Sequence, residues 1–157
     1  MKKFFYVLVI SLFVFTLAGC SSDEKEKTMK CSLKKSEPVN GVSVYTDYTV
    51  TYVGDIIKKA ELVETLESDN KGTIEYYYNY FDAYYDQLND KYGGYTWKLS
   101  KTDNKVVSNT TMDYTKINLK KYAEDVPIFK NYLNDNNELT IKGLKSLYAT
   151  AGITCED

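Results

Sequence analysis

Two alternating runs separated by a two-residue turn constrain this chain most. Val42 to Val53 puts Val44, Tyr48, Val50 and Tyr52 on one face and Asp47, Thr49 and Thr51 on the other. After Gly54-Asp55, Ile56 to Glu67 sets Ile56, Ala60, Leu62 and Leu66 on one face, separated by charged residues. Period-two patterning reads as half-buried strand, and so short a turn joins only antiparallel neighbours. Met29 to Ser36 reads as a further strand ahead of them, linked through Glu37-Pro38-Val39-Asn40-Gly41, whose Pro and Asn-Gly content marks a turn. The expectation is a three-strand antiparallel meander.

The period then changes. Ile74, Tyr77, Tyr78, Phe81, Tyr84, Tyr85, Leu88 and Tyr92 recur at three- and four-residue steps through Asp69 to Tyr92. That spacing predicts a long amphipathic helix and overrides the strand preference of Tyr. Asp69 or Asn70 supplies the N-cap and Gly93-Gly94 the stop. Tyr95 to Lys101 and Lys105 to Ile117 follow as a hairpin around Thr102-Asp103-Asn104. Leu119 to Asp135 reads as a helical turn and then a loop broken at Pro127. Thr140 caps a last helix with Ile141, Leu144, Leu147, Tyr148 and Ala151 as its stripe, ending at Gly152, and Ile153 to Asp157 reads as a tail. The fold class is α+β: an antiparallel sheet, meander plus hairpin, packed by one long central helix and a C-terminal helix.

The N-terminus sets the address. Lys2-Lys3 precedes an apolar run from Phe4 to Ala18, and Leu17-Ala18-Gly19-Cys20 closes it. A basic start, a short apolar run and small residues before a cysteine describe a lipoprotein signal peptide. A spanning helix needs about 20 apolar residues. The division expected is 1–19 signal peptide, 20–28 lipidated cysteine and tether, and 29–157 a single domain. Diacylglyceryl on Cys20 is the expected membrane anchor, and the tether reaches at most about 25 Å. The domain then works at the extracytoplasmic face of the cell membrane.

Composition narrows the chemistry. Cleavage leaves 18 lysines against 22 acids, a net charge of −4 (18 − 22), which excludes a basic footprint for nucleic acid. The chain has no Arg and no His. It therefore lacks the usual general base near neutral pH, the commonest transition-metal ligand and the forked group suited to bidentate anion capture. A basic set made only of Lys, with abundant Asn and Tyr, points to an AT-rich, Gram-positive source.

Two cysteines remain in the exported domain, Cys31 near its start and Cys155 near its end. They read as a disulfide tying the first strand to the tail, a closure contributing roughly 4–5 kcal/mol in the chain-entropy model. Free thiols are the alternative. Redox chemistry would want a close pair such as C-x-x-C, and two cysteines without His fall short of a zinc ligand set. No metal and no cofactor are expected.

The tyrosines of the central helix read first as a core face. A functional reading keeps Tyr76 and Tyr80 outside the stripe, joined by Tyr95 or Trp97, as a flat amphipathic surface for sugar or peptide. Glu75, Asp82, Asp86 and Asp90 read as a solvated polar face, because calcium takes six or more oxygens from a curved loop.

This order of elements resembles the YehR-like family of small bacterial lipoproteins. The carriers are the signal with Cys20, Tyr48-Thr49-Val50-Thr51-Tyr52-Val53-Gly54-Asp55 before a lysine-rich strand, and Lys91-Tyr92-Gly93-Gly94 after the long helix. Met112-Asp113-Tyr114-Thr115-Lys116-Ile117, Ser146-Leu147 and Ala151-Gly152-Ile153 complete them. The resemblance implies the fold and lipidation, and it brings no catalytic motif. The Tyr-rich helix and the cysteine pair lie outside what it covers.

The functional expectation is a non-enzymatic, membrane-anchored binding or envelope-interaction domain whose partner is an envelope protein or a glycan. A carboxylate-dependent envelope enzyme acting on glycan or peptide is the alternative. A structural subunit of a membrane complex is a third class.

Overall fold

The computed structural model describes residues 24–34 and 38–156. The signal peptide and Cys20 lie outside the described residues. The strands β1 (Lys27–Leu33), β2 (Val42–Val53), β3 (Ile56–Ser68), β4 (Tyr95–Lys101), β5 (Lys105–Asp113) and β6 (Thr154–Glu156) form one sheet in the order β4-β5-β3-β2-β1-β6. Every pairing is antiparallel. Thus the meander and the hairpin share a single sheet, joined where β5 pairs with β3. Asn40 and Gly41, both at positive φ, make the two-residue turn between Val39 and Val42, as the Asn-Gly pair favours.

One face of the sheet is covered and the other is wet. Val50, Ala60, Leu66 and Val106 point to the covered side and are fully buried. Lys30, Asp47, Glu61, Lys98 and Asn109 point to the other and are exposed. The helix α1 (Lys71–Tyr92) lies over β4, β5 and β3. Its N-cap Asn70 accepts from the Thr73 amide at 3.2 Å, and Gly93 at φ 73° ends it with its amide on the Asn89 carbonyl. Ile74, Phe81, Tyr85 and Tyr92 are its buried stripe. Tyr84, read as part of that stripe, is 41% exposed, because it lies at the stripe's edge. At Gly94, φ +79°, a Cβ would sit 2.8 Å from the Asp113 carbonyl oxygen, so only glycine lets β4 start there.

Several boundaries differ from expectation. Strand β1 begins at Lys27, inside the stretch read as tether, and ends at Leu33. Strand β5 stops at Asp113 and not at Ile117, because the Asp113 carbonyl accepts from the Lys116 and Ile117 amides and its side chain from Thr115, closing a turn. The segment read as a turn and loop holds a helix, α2 (Leu119–Asp125), capped by Asn118, and a 3₁₀ helix over Pro127–Tyr132. The last helix, α3 (Ile141–Thr150), starts on Thr140, whose hydroxyl accepts from the Gly143 amide at 3.0 Å. The tail is the strand β6, paired with β1 along Lys30–Ser32.

Candidate functional site

Strand parity builds the floor of the site. On the covered face of β3 the residues run Ala60, Leu62, Glu64, Leu66, so a carboxylate stands among the apolar positions. The register sets Thr46 of β2 and Ser108 of β5 on either side of Glu64. Tyr48 and Thr110 flank Leu62 in the next row. Ser108 and Thr110 are fully buried and share a hydrogen bond of 2.8 Å. The middle of the sheet is therefore a polar strip beneath the helices.

The helices do not close over it. A cavity of about 300 Å³ remains, with Glu64 and Tyr48 in the floor, Tyr84 and Tyr85 on the α1 side and Tyr148 on the α3 side. Tyr122 of α2 and Phe129 of the 3₁₀ helix form the far wall, beside Tyr95 and Tyr114. No lysine lines it. The rings of Tyr48 and Tyr148 meet at 4.7 Å, and the Tyr85 hydroxyl donates to Glu64 Oε2 across 3.5 Å.

The electrostatics follow from burial next to a single acid. Burial raises the Glu64 carboxyl above its ordinary value, and the bond from Tyr85 only partly offsets this. Burial, with the Glu64 charge nearby, pushes the Tyr48 and Tyr85 phenols up to about 12. Burial also raises Tyr95, Tyr114 and Tyr148. Two buried hydroxyls, those of Thr46 and Tyr148, have no hydrogen-bond partner among the described residues, and Tyr148 is only 7% exposed. An unpaired buried hydroxyl is costly, and the ring that carries the Tyr148 hydroxyl lines the cavity.

The residues singled out from sequence fall in different places. Cys20 lies outside the described residues. Cys31 and Cys155 are joined by a disulfide between directly paired residues of β1 and β6. Tyr76 and Tyr80 stand exposed on the outer side of α1, stacked at 6.2 Å, and Tyr80 stacks on Tyr84 at 5.8 Å. Tyr95 is buried in the cavity wall. Trp97 is half-buried under α1, 6.2 Å from the Tyr85 ring, with its indole N–H donating to Asp82 at 2.9 Å. The four aromatics therefore do not form one surface. Of the acids on α1, Asp82 holds Trp97 and Glu75 pairs with Lys101. Among the described residues no group of three or more acids or cysteines could hold a metal ion.

Sequence reasoning passed over Glu64, Tyr48 and the hydroxyl of Tyr148 as site groups. The signal for Glu64 was parity: it stands two residues from both Leu62 and Leu66 in an alternating strand, which places its carboxylate on the buried face.

No family model matches the chain. The uncharacterized lipoprotein YehR of Escherichia coli (strain K12) is 29% identical over 131 residues, covering 76% of this chain and 73% of that protein. The NMR structure of E. coli YehR aligns with a TM-score of 0.58 at 20% identity, over 85% of this chain and 92% of that one. The NMR structure of a protein from Streptococcus pneumoniae TIGR4 aligns with a TM-score of 0.50 at 16% identity, over 99% of this chain and 98% of that one. At these identities the two structures speak to the fold, and the sequence match speaks to the relative. The sequence match and the first of these structures point to the same protein, and the chain resembles YehR in sequence and in fold.

Proposed function

We propose that this chain is an extracytoplasmic lipoprotein, held to the cell membrane by diacylglyceryl on Cys20, whose domain binds a small ligand in the tyrosine-lined cavity and catalyses no reaction. The observation that carries the binding reading is the cavity of about 300 Å³ with the unpartnered Tyr148 hydroxyl at its edge. That volume is at the small end of ligand pockets, which are mostly apolar with a few placed polar groups. Glu64 is the one carboxylate in its lining. Hydrolysis by paired carboxylates needs two acids across the scissile bond, and a chain without His offers no common substitute.

The anchor reading rests on Leu17-Ala18-Gly19-Cys20 and on a relative that is named a lipoprotein. No helix among the described residues is long and apolar enough to cross a membrane. The all-lysine basic set supports a Gram-positive envelope.

Two experiments test this. Cys20→Ala should move the protein from the membrane fraction to the soluble one; unchanged membrane retention overturns the anchor. For the cavity, a fragment set is screened against the full chain by ligand-observed NMR, with Leu147→Trp as a variant that fills the space. Fragments that bind the native protein and lose affinity to Leu147→Trp support the reading. A set in which none distinguishes the two folded proteins overturns it.

A further inference from the structure

The cavity's chemistry is lopsided, and the asymmetry narrows the ligand. Its lining carries one ionisable acid, Glu64, and no lysine, while the other titratable groups are phenols. Those phenols line the cavity with Glu64 from the elements around it: Tyr48 from β2, Tyr84 and Tyr85 from α1, Tyr122 from α2, Tyr148 from α3, Tyr95 from β4 and Tyr114 just past β5. All of them are neutral at physiological pH, so nothing in the lining balances the carboxylate. Aromatic faces are negative at the centre of the ring and attract cations, more strongly when water is excluded. The Tyr148 oxygen is buried and has no partner among the described residues, which leaves its acceptor unused.

We propose that the cavity binds a small organic ammonium ion, with Glu64 as its counter-charge, the rings of Tyr48, Tyr85 and Tyr148 around the cation, and the Tyr148 hydroxyl accepting one ammonium N–H. The inference rests on the binding reading above and adds the ligand's charge class. An anion is disfavoured by the carboxylate. A neutral ligand would leave the carboxylate without compensation for its burial. The size and partial enclosure of the cavity suit a free small amine and not an extended polymer. Burial holds Glu64 above its ordinary value in the empty protein, so an arriving cation favours ionisation and releases a proton. Binding should therefore tighten as pH rises through the Glu64 titration.

The test compares phenethylammonium with 2-phenylethanol, which is close in shape and neutral. Both are titrated by calorimetry and protein-observed NMR into the full chain in maltoside micelles at physiological salt. The ammonium should bind at least about tenfold tighter, with the largest shifts at Glu64 and Tyr148. Glu64→Gln should bring the two affinities within about twofold of each other. Equal affinities in the native protein overturn the cation assignment while leaving the cavity reading intact. A tenfold preference that survives Glu64→Gln also overturns it, because the charge is then read elsewhere. Displacement of the amine by soluble dihexanoyl phosphatidylethanolamine would assign the ammonium to a lipid headgroup and overturn the free-amine source. If neither compound binds but cavity-dependent fragments do, only the ammonium proposal fails. If no fragment binds the cavity, both readings fail.

Discussion

The rings of Tyr48 and Tyr148 lie 4.7 Å apart, and this contact seats α3 on the second strand of the sheet. Tyr48 is the register partner of Cys31, which is bonded to Cys155 just beyond the end of α3. The chain that leaves Tyr148 is thereby tied back to the strand beside Tyr48. The disulfide, with its partners 124 residues apart, thus anchors one wall of the cavity as well as the two ends of the domain.

The first prediction follows from that circuit. Cys31→Ala with Cys155→Ala should lower the stability of the domain by up to about 4 kcal/mol, the scale of a long-loop closure. The loss should not be uniform. Hydrogen exchange should speed up first at the amides of α3 and β6, before the central strands β2, β3 and β5. Equal acceleration everywhere would mean that the bridge acts on the unfolded chain alone.

Glu64 gives a pH signature in the empty protein. An acid whose value is raised on folding contributes stability that is fully present below its unfolded value and is lost as pH rises through the folded one. The unfolded value is the ordinary 4.5, and the folded one is higher because of burial. Glu64→Gln removes this penalty. The variant should match the native protein below about pH 4.5 and melt at a higher temperature than it at pH 7. Thermal melts of the two proteins from pH 3 to pH 8 check it, and a variant that is less stable at pH 7 refutes it. A residue whose replacement stabilises the free domain and removes the preference for the cation is a functional residue and not a structural one.

Parity explains both what could be read in advance and what could not. Strands β2 and β4 have the bounds that their alternation marked, and α1 ends at Tyr92 where Gly93 stops it. Those features are local, and period and turn chemistry specify them. Glu64 was equally local, but treating charged residues as separators hid its parity. The other misses are non-local. Strand β6 has three residues, too few to show a period, and exists because Cys31 and its neighbours offer an edge. Helix α2 has seven residues, too short to be stable alone, and it forms by packing Leu119 and Ala123 into the core. The cavity needs Tyr48 and Tyr148, which lie far apart in sequence, to meet across two layers.

The hydroxyl of Tyr148 offers a third prediction. Tyr148→Phe keeps the ring on Tyr48 and removes a buried oxygen that has no partner. The free protein should gain about 1 kcal/mol, measured by urea unfolding. Ligand affinity should fall at the same time, because the hydroxyl's intended partner is the ligand. Lower stability without ligand would show that the hydroxyl already has a partner in the folded protein.

Gly143 supplies the last prediction, because it decides how closely α3 approaches the 3₁₀ helix. A Cβ placed there would sit 1.9 Å from the Tyr132 carbonyl oxygen and 2.8 Å from the carbonyl carbon. Both obstacles are backbone, so a side chain cannot turn aside to make room. Alanine ordinarily favours a helix over glycine by about 1 kcal/mol, but here α3 would have to move off Tyr132. Overpacking of this kind costs about 1–3 kcal/mol. It would also shift Phe129 and Tyr148 relative to one another, on two walls of the cavity. Gly143→Ala should therefore lower the urea midpoint and weaken phenethylammonium binding together. Lys142→Ala, the exposed neighbour, should change stability by no more than about 0.5 kcal/mol. If Gly143→Ala is as silent as Lys142→Ala, the close approach of the two helices does not hold in solution.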